Sequence, residues 1–271
     1  MKVRHATEEE LHLQWLSVDG LVIRSAIRKG TKGGTPLLLL NGIGASLEMM
    51  LPFVDAYPEP DILLFDAPGA GKSPAPSRPW RLSDYARVAD HVLAVMGVDR
   101  VNVMGVSWGG ALAQQFARQY PERCKNLILA ATTPGQLMVP PSLGVMLRMS
   151  NPRRYYDKNY MKRIAGQIYG GKFRTNRLSA EIFADLTNPP SKRGYYFQVM
   201  ALLGWSSLPW LGKLKMPTIV LHGEDDPIAP LANARIMAHL IPDAKLVCFD
   251  CGHLFMLTRA YRTAETIRDF V

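Results

Sequence analysis

The sequence predicts an α/β fold: a mainly parallel, doubly wound sheet with a helical cap inserted after the sixth strand. Three observations predict it. Expected strands and helices alternate along most of the chain. Serine, aspartate and histidine stand where apolar runs end, at the carboxyl edge where open parallel sheets gather ligands. The alternation breaks between about 136 and 212, a stretch without a convincing strand, and resumes afterwards.

In chain order, an N-terminal pair of strands is expected near 11–17 and 20–28. Further strands are expected near 36–41, 61–66, 101–106, 125–131, 216–222 and 244–249, and helices near 83–97, 109–119, 230–240 and 254–270. The core is therefore assigned to 1–135 and 213–271, and the cap to 136–212. The cap segment is rich in Met, Tyr and Trp and is punctuated by Pro140-Pro141 and Pro189-Pro190. Met138, Leu143, Met146, Leu147, Trp205, Leu208 and Trp210 are candidates for an apolar entrance. Packing of the cap on the core is the competing reading for each. Gly42, Met138, Trp205 and Trp210 are taken as substrate-binding candidates.

The strongest local signal is Gly105-Val106-Ser107-Trp108-Gly109, which lies between the run Val101-Asn102-Val103-Met104 and Gly110-Ala111-Leu112-Ala113. A G-x-S-x-G pentapeptide between strand and helix makes a turn so tight that side chains two residues either side of the serine would collide with backbone. The turn pushes the hydroxyl out of the sheet at a helix N-terminus. Ser107 is the candidate nucleophile.

Such a serine needs a base, and the base needs an orienting acid. The strand Thr218-Ile219-Val220-Leu221 runs into His222-Gly223-Glu224-Asp225-Asp226-Pro227, and Lys245-Leu246-Val247-Cys248-Phe249 runs into Asp250-Cys251-Gly252-His253. Asp226, deepest in its turn, is the expected acid, with Asp225 the second choice. His253 is preferred over His222 because it follows the acid and opens the last helix. The structural alternatives are that Asp226 caps a helix near Pro227 and that His253 is an ordinary first-turn residue. The apolar strand Leu37-Leu38-Leu39-Leu40 ends in Asn41-Gly42-Ile43-Gly44. A glycine-rich turn there can aim the Ile43 N–H at a developing oxyanion, with the Trp108 N–H as second donor.

These segments carry a resemblance. G-V-S-W-G-G-A-L-A-Q-Q-F-A, Y-P-E-R-C-K-N-L-I-L-A-A-T, N-G-I-G-A, G-E-D-D-P and D-C-G-H-L-F, with R-R-Y-Y and Y-G-G in the middle, make the chain similar to the α/β-hydrolases. Within that superfamily it most resembles the intracellular polyhydroxyalkanoate depolymerases that act on medium-chain storage polyester. The resemblance implies the α/β-hydrolase fold, Ser107 as nucleophile, Asp226 as acid and His253 as base. Most hydrolases of the fold carry histidine at the position of Asn41; asparagine agrees with this family. The related polyester synthases carry a cysteine nucleophile, so Ser107 argues for hydrolysis.

The chain has 271 residues, 48% of them hydrophobic, enough for a substantial core. Met1-Lys2-Val3-Arg4-His5 followed by Glu8-Glu9-Glu10 shows no secretory h-region, and no apolar run approaches a membrane span. Three cysteines without a paired framework suggest a reducing compartment, hence a cytoplasmic location. A storage-granule surface as one partner is what the resemblance implies. Cys248 and Cys251 have no second ligand pair, so no metal site is read and no cofactor is implied. The formal charge is +9. The cap carries Arg148, Arg153, Arg154, Lys158, Lys162, Arg163, Lys172, Arg174, Arg177, Lys192 and Arg193 against Asp157, Glu181 and Asp185. No nucleic-acid-binding motif accompanies this charge; docking on an anionic granule or lipid surface is one reading, a solvated surface the other.

Asp66-Ala67-Pro68-Gly69-Ala70-Gly71-Lys72-Ser73 imitates the end of a P-loop, but Asp66 replaces the first glycine and Pro68 lacks an N–H. Pro74, Pro76 and Pro79 forbid the helix a nucleotide would need. The NTPase reading fails. A haloalkane dehalogenase would want a carboxylate at 107. Three readings remain: a serine esterase that depolymerises aliphatic polyester, a generic carboxylesterase or lipase with the same triad, and a catalytically silent granule-binding protein.

Overall fold

Each central strand places alternate side chains on opposite faces, and both faces are apolar, so the sheet must be covered on both sides. In the computed structural model this is what is found. The structure describes residues 11–186 and 188–271, apart from the side chains of 177, 182, 184 and 185; the reading of residues 1–10 lies outside them. The strands are β1 (His12–Val18), β2 (Leu21–Arg28), β3 (Leu37–Leu40), β4 (Ile62–Phe65), β5 (Val101–Val106), β6 (Cys124–Ala130), β7 (Thr218–Gly223) and β8 (Lys245–Phe249). They form one sheet in the order β1-β2-β4-β3-β5-β6-β7-β8. The pairs β1–β2 and β2–β4 are antiparallel and the others parallel. Every expected strand is present, with ends within two residues of the sequence reading.

The core helices are α1 (Leu51–Ala56), α2 (Leu82–Val95), α3 (Trp108–Gln119), α10 (Leu231–Leu240), α11 (Phe255–Thr258) and α12 (Ala260–Arg268). Leu38 and Leu40 of β3, with Leu63 and Phe65 of β4, face α2, α3 and α10. Leu37 and Leu39, with Ile62 and Leu64, face α1, α11 and α12. The single helix expected over 254–270 is broken, because Arg259 adopts a non-helical φ of −139° and ψ of 33°. His253 thus precedes a short turn of helix instead of opening a long one. Sequence patterning also missed α1, a short segment with proline at its start.

Between β6 and β7 lie α4 (Leu143–Ser150), α5 (Arg153–Tyr156), α6 (Lys158–Tyr169), α7 (Lys172–Thr175), α8 (Arg177–Leu186) and α9 (Lys192–Met200). Side-chain caps start three of them: Ser142, Asp157 and Ser191 accept the backbone N–H groups of Val145, Tyr160 and Gly194. Met161, Ile164, Ile168, Tyr169 and Phe173 of this insertion form a third apolar cluster with Ala45, Met49 and Leu254 of the core.

The basic face is smaller than the sequence implies. Arg154 is buried and so leaves it. Arg153 pairs with Asp157, Lys162 with Glu181 and Arg174 with Asp225. The side chains of Arg177 and Asp185 lie outside those described.

Candidate active site

The chain leaves β3 to form β4 on one side, then returns to form β5 on the other. Such a reversal opens a crevice at the carboxyl ends of the two strands. Leu40 is in register with Gly105, which sets the turn after β3 beside Ser107. On the far side, Gly223 is in register with Phe249, which sets the loop holding Asp226 beside the loop holding His253.

Ser107 sits at φ 55° and ψ −117°, a backbone conformation that costs a non-glycine residue about 1–3 kcal/mol. The strand and helix hold it there: its N–H donates to Ala130, and the Thr132 hydroxyl donates to its carbonyl. A Cβ at Gly109 would overlap the carbonyl oxygens of Leu40 and Asn41, so only glycine lets α3 start this close to β3.

Asp226 divides its carboxylate between two tasks. Oδ1 accepts the N–H groups of Ile228 and Ala229 at 2.9 and 3.0 Å, and Oδ2 accepts from His253 Nδ1 at 2.7 Å. No helix begins near Pro227, so Asp226 caps none; Oδ1 instead closes the turn that precedes α10, while Oδ2 holds the histidine. The His253 N–H donates to the Tyr169 carbonyl, and its ring stacks at 21° to the Tyr169 ring. Ser107 and His253 line the same cavity. Among the described residues no hydrogen bond joins them; such contacts are often loose before substrate arrives.

The alternatives to this pair have other work. Asp225 is exposed and accepts from Arg174 Nε at 2.8 Å, from its Nη2 at 3.0 Å and from the Gly171 N–H at 2.7 Å. The Arg174 guanidinium holds the Asp225 carboxyl below the usual carboxylate range. His222 is fully buried, and its Nε2 donates to the Ala229 carbonyl at 2.6 Å. Burial lowers its pKa, so it stays neutral beside Asp226. Burial also pushes the Cys251 thiol up to about 12, which leaves it un-ionised and a poor rival nucleophile.

The turn after β3 isolates one amide. The Gly42 N–H donates to Asn41 Oδ1 at 2.8 Å, the Gly44 N–H to Gln198 Oε1 at 2.7 Å and the Ala45 N–H to the Gly42 carbonyl at 3.1 Å. Among the described residues the Ile43 N–H has no partner. The Trp108 N–H, first in α3, also has none, as helix N-termini require. Asn41 braces the turn through its donation to the Ser46 carbonyl at 2.7 Å, a role open to asparagine without further chemistry.

Two residues that sequence patterning missed fix this turn from above. The Tyr155 hydroxyl donates to the Ile43 carbonyl while Gln198 accepts from the Gly44 N–H, so both atoms of one peptide unit are held by the insertion. Gln198 also takes the Trp108 indole N–H on its own carbonyl at 2.8 Å. Replacing Gln198 with leucine strands a buried N–H, worth about 1–3 kcal/mol, and frees the peptide. We expect kcat on a soluble ester to fall about 10- to 100-fold with KM little changed; steady-state kinetics checks this.

A second, apolar cavity of about 280 Å³ opens on Ser107 and is lined by Trp108, Met138, Met146, Met149 and Val199 among others. Met138 and Met146, entrance candidates from the sequence, both line this cavity. Gly42 lines the smaller cavity beside His253. Trp205 and Trp210 are not at the site. Trp205 donates to Gln115 Oε1 at 2.9 Å, and Trp210 is buried against it beneath the Arg118 guanidinium. Leu208 packs with them. These large rings anchor the insertion to α3 because they bury most area there.

Comparison with known proteins accords with this geometry. Residues 35–260 match the family model described as the alpha/beta hydrolase fold. A poly(3-hydroxyalkanoate) depolymerase of Ectopseudomonas oleovorans is 47% identical over 94% of this chain and 91% of its own length. A 2-hydroxy-6-oxo-6-phenylhexa-2,4-dienoate hydrolase of Comamonas testosteroni is 31% identical over 81% of this chain and 79% of its own. An enol-lactonase from Burkholderia xenovorans superposes with a TM-score of 0.83, covering 95% of this chain and 99% of that one, at 22% identity, a likeness of fold alone. With its sheet order, its strained serine after β5 and these relatives, the chain belongs to the α/β-hydrolase family.

Proposed function

We propose that this chain is a serine ester hydrolase that cuts the aliphatic polyester of 3-hydroxy acids through an acyl-enzyme. His253 takes the Ser107 proton as the hydroxyl attacks an ester carbonyl. The oxyanion is held between the Ile43 and Trp108 N–H groups, and Asp226 Oδ2 fixes the imidazole tautomer and balances its charge. His253 then protonates the departing alcohol oxygen, and a water activated by the same ring releases the acid. Residues 136–212 act as the cap that shapes the acyl pocket and excludes water.

The observation that carries this reading is the position of Ser107, between the apolar cavity of about 280 Å³ and a second cavity containing His253. An alkyl-bearing acyl group fits the first, and the proton donor waits in the second. The depolymerase relative supports the substrate class. No helix among the described residues is long and apolar enough to cross a membrane. Contact with a storage granule inside the cell is instead assigned to α4, where Leu143 and Leu147 are 70% and 63% exposed next to the cavity residue Met146. An exposed apolar ridge of this kind marks a contact surface, and the exposed Arg163, Lys192 and Arg193 add charge attraction to an anionic coat.

Turbidity clearing of polyhydroxyalkanoate latex, run beside soluble p-nitrophenyl esters, tests the reading. Clearing is expected. Leu143→Asp with Leu147→Asp should lower latex clearing at least tenfold more than soluble ester hydrolysis. Ester cleavage without clearing by the unaltered protein would assign it to small esters instead.

A further inference from the structure

Two arginines are buried to the same degree and treated differently. Arg24 on β2 and Arg154 on α5 are each 2% exposed. Arg24 has Glu48 at 2.6 Å and Asp66 at 3.4 Å. Arg154 has no carboxylate within ion-pairing distance among the described residues. Its Nη1 donates to the Met149 carbonyl at 2.7 Å and the Tyr195 hydroxyl at 3.0 Å, and its Nη2 to the Tyr155 hydroxyl at 3.4 Å. The Tyr155 and Tyr195 rings lie 4.7 and 5.3 Å from the guanidinium. Every one of these partners is neutral, and Nε has none.

A buried cation without a counter-charge is costly, and cation–π contacts offset only part of that. The guanidinium is also not sealed away. It lines the cavity of about 40 Å³ that contains Ser107 and His253, together with Met49, Leu254 and Leu257. An anion entering that cavity meets an arginine whose charge no carboxylate matches.

The direction of the reaction identifies the anion; this step rests on the roles given above to Ser107 and His253. His253 must hand its proton to the leaving oxygen, so the leaving group occupies the cavity that His253 lines. In a polyester of 3-hydroxy acids, the terminal unit leaves as an alcohol whose own carboxylate is two carbons from that oxygen. We propose that Arg154 receives this carboxylate, so that the enzyme cuts preferentially at the free carboxyl end of the chain. Ser107 Oγ bonds to the acyl carbon, the ester C–O bond breaks, and the 3-hydroxy acid departs with the proton from His253. Water later cleaves the acyl-serine. At an internal ester, Arg154 meets only a neutral carbonyl.

The test compares a linear dimer of a 3-hydroxy acid bearing a free carboxyl with the same dimer capped as its primary amide, following cleavage of the internal ester. The unaltered protein should cut the free acid with a kcat/KM at least tenfold higher. That preference should fall toward one in Arg154→Gln and be partly kept in Arg154→Lys; the ratio corrects for any general loss of activity. Equal rates on acid and amide by the unaltered protein would overturn the proposal alone. Failure on both dimers, with p-nitrophenyl esters still cleaved, would overturn the polyester reading and this proposal with it.

Discussion

Ser107→Ala lowers turnover of both latex and soluble ester on the order of 10⁵-fold while the protein stays folded. The loss is large because, in the proposed mechanism, the hydroxyl is the atom that bonds to the acyl carbon, and neither the neutral, buried His222 nor the un-ionised Cys251 replaces it. The fold survives because the strained turn is held by backbone bonds to Ala130 and by Thr132. Alanine does not relieve the strain at φ 55°, since any Cβ feels it. Ser107→Gly removes both hydroxyl and strain, so it should be equally inactive and melt higher than Ser107→Ala. Rates at saturating ester and thermal melts of the two variants check this pair of outcomes. Retention of most activity by Ser107→Ala would remove the assigned nucleophile.

Asp226→Asn gives the second large effect, a fall in kcat of about 10⁴-fold. The amide still accepts from Ile228 and Ala229 through its oxygen, so the turn persists. What is lost is the acceptor for His253 Nδ1, and with it the tautomer that leaves Nε2 free to take a proton. Asp225→Asn, one residue away, should keep kcat within a few-fold, because that side chain points to Arg174 and Gly171 and not to the histidine. Its effect belongs to cap anchoring and acid stability. The folded Asp225 carboxyl titrates below its ordinary 3.8, so its contribution is complete above that value and is lost as pH falls through the lower, folded one. In Asp225→Asn this acid-side loss should vanish from melting curves recorded below pH 5. Severe loss of kcat in Asp225→Asn with Asp226→Asn spared would reverse the assignment.

The contrast between these neighbours shows what a sequence can carry. The strands were legible because their patterning is local, and the serine because its turn demands glycine at fixed offsets. Asp226 is separable from Asp225 in the sequence by its depth in the turn and by the family resemblance. Trp205 and Trp210 were misread, since composition says that rings are present but not which surface they meet; here they root the insertion on α3. Gln198 and Tyr155 carried no local signal. Their bonds to Gly44 and Ile43 span 154 and 112 residues, and only the closed fold brings them together. Arg154 was counted as surface charge because arginine is so rarely interred without an acid.

The junction between α6 and α7 constrains how the molecule can breathe. A Cβ at Gly171 would overlap the Gly252 nitrogen, and one at Gly252 would overlap the Tyr169 carbonyl, so two backbones run in contact there. Across the roof, α9 is tied to the body through Gln198 and Trp108. An insertion riveted on both flanks does not swing away as one rigid flap without breaking those ties. On the proposed polyester reading, entry of a long polymer falls to the panel between the rivets, the short α4 with its bare leucines, as a sideways threading under one edge and not the lifting of a hatch.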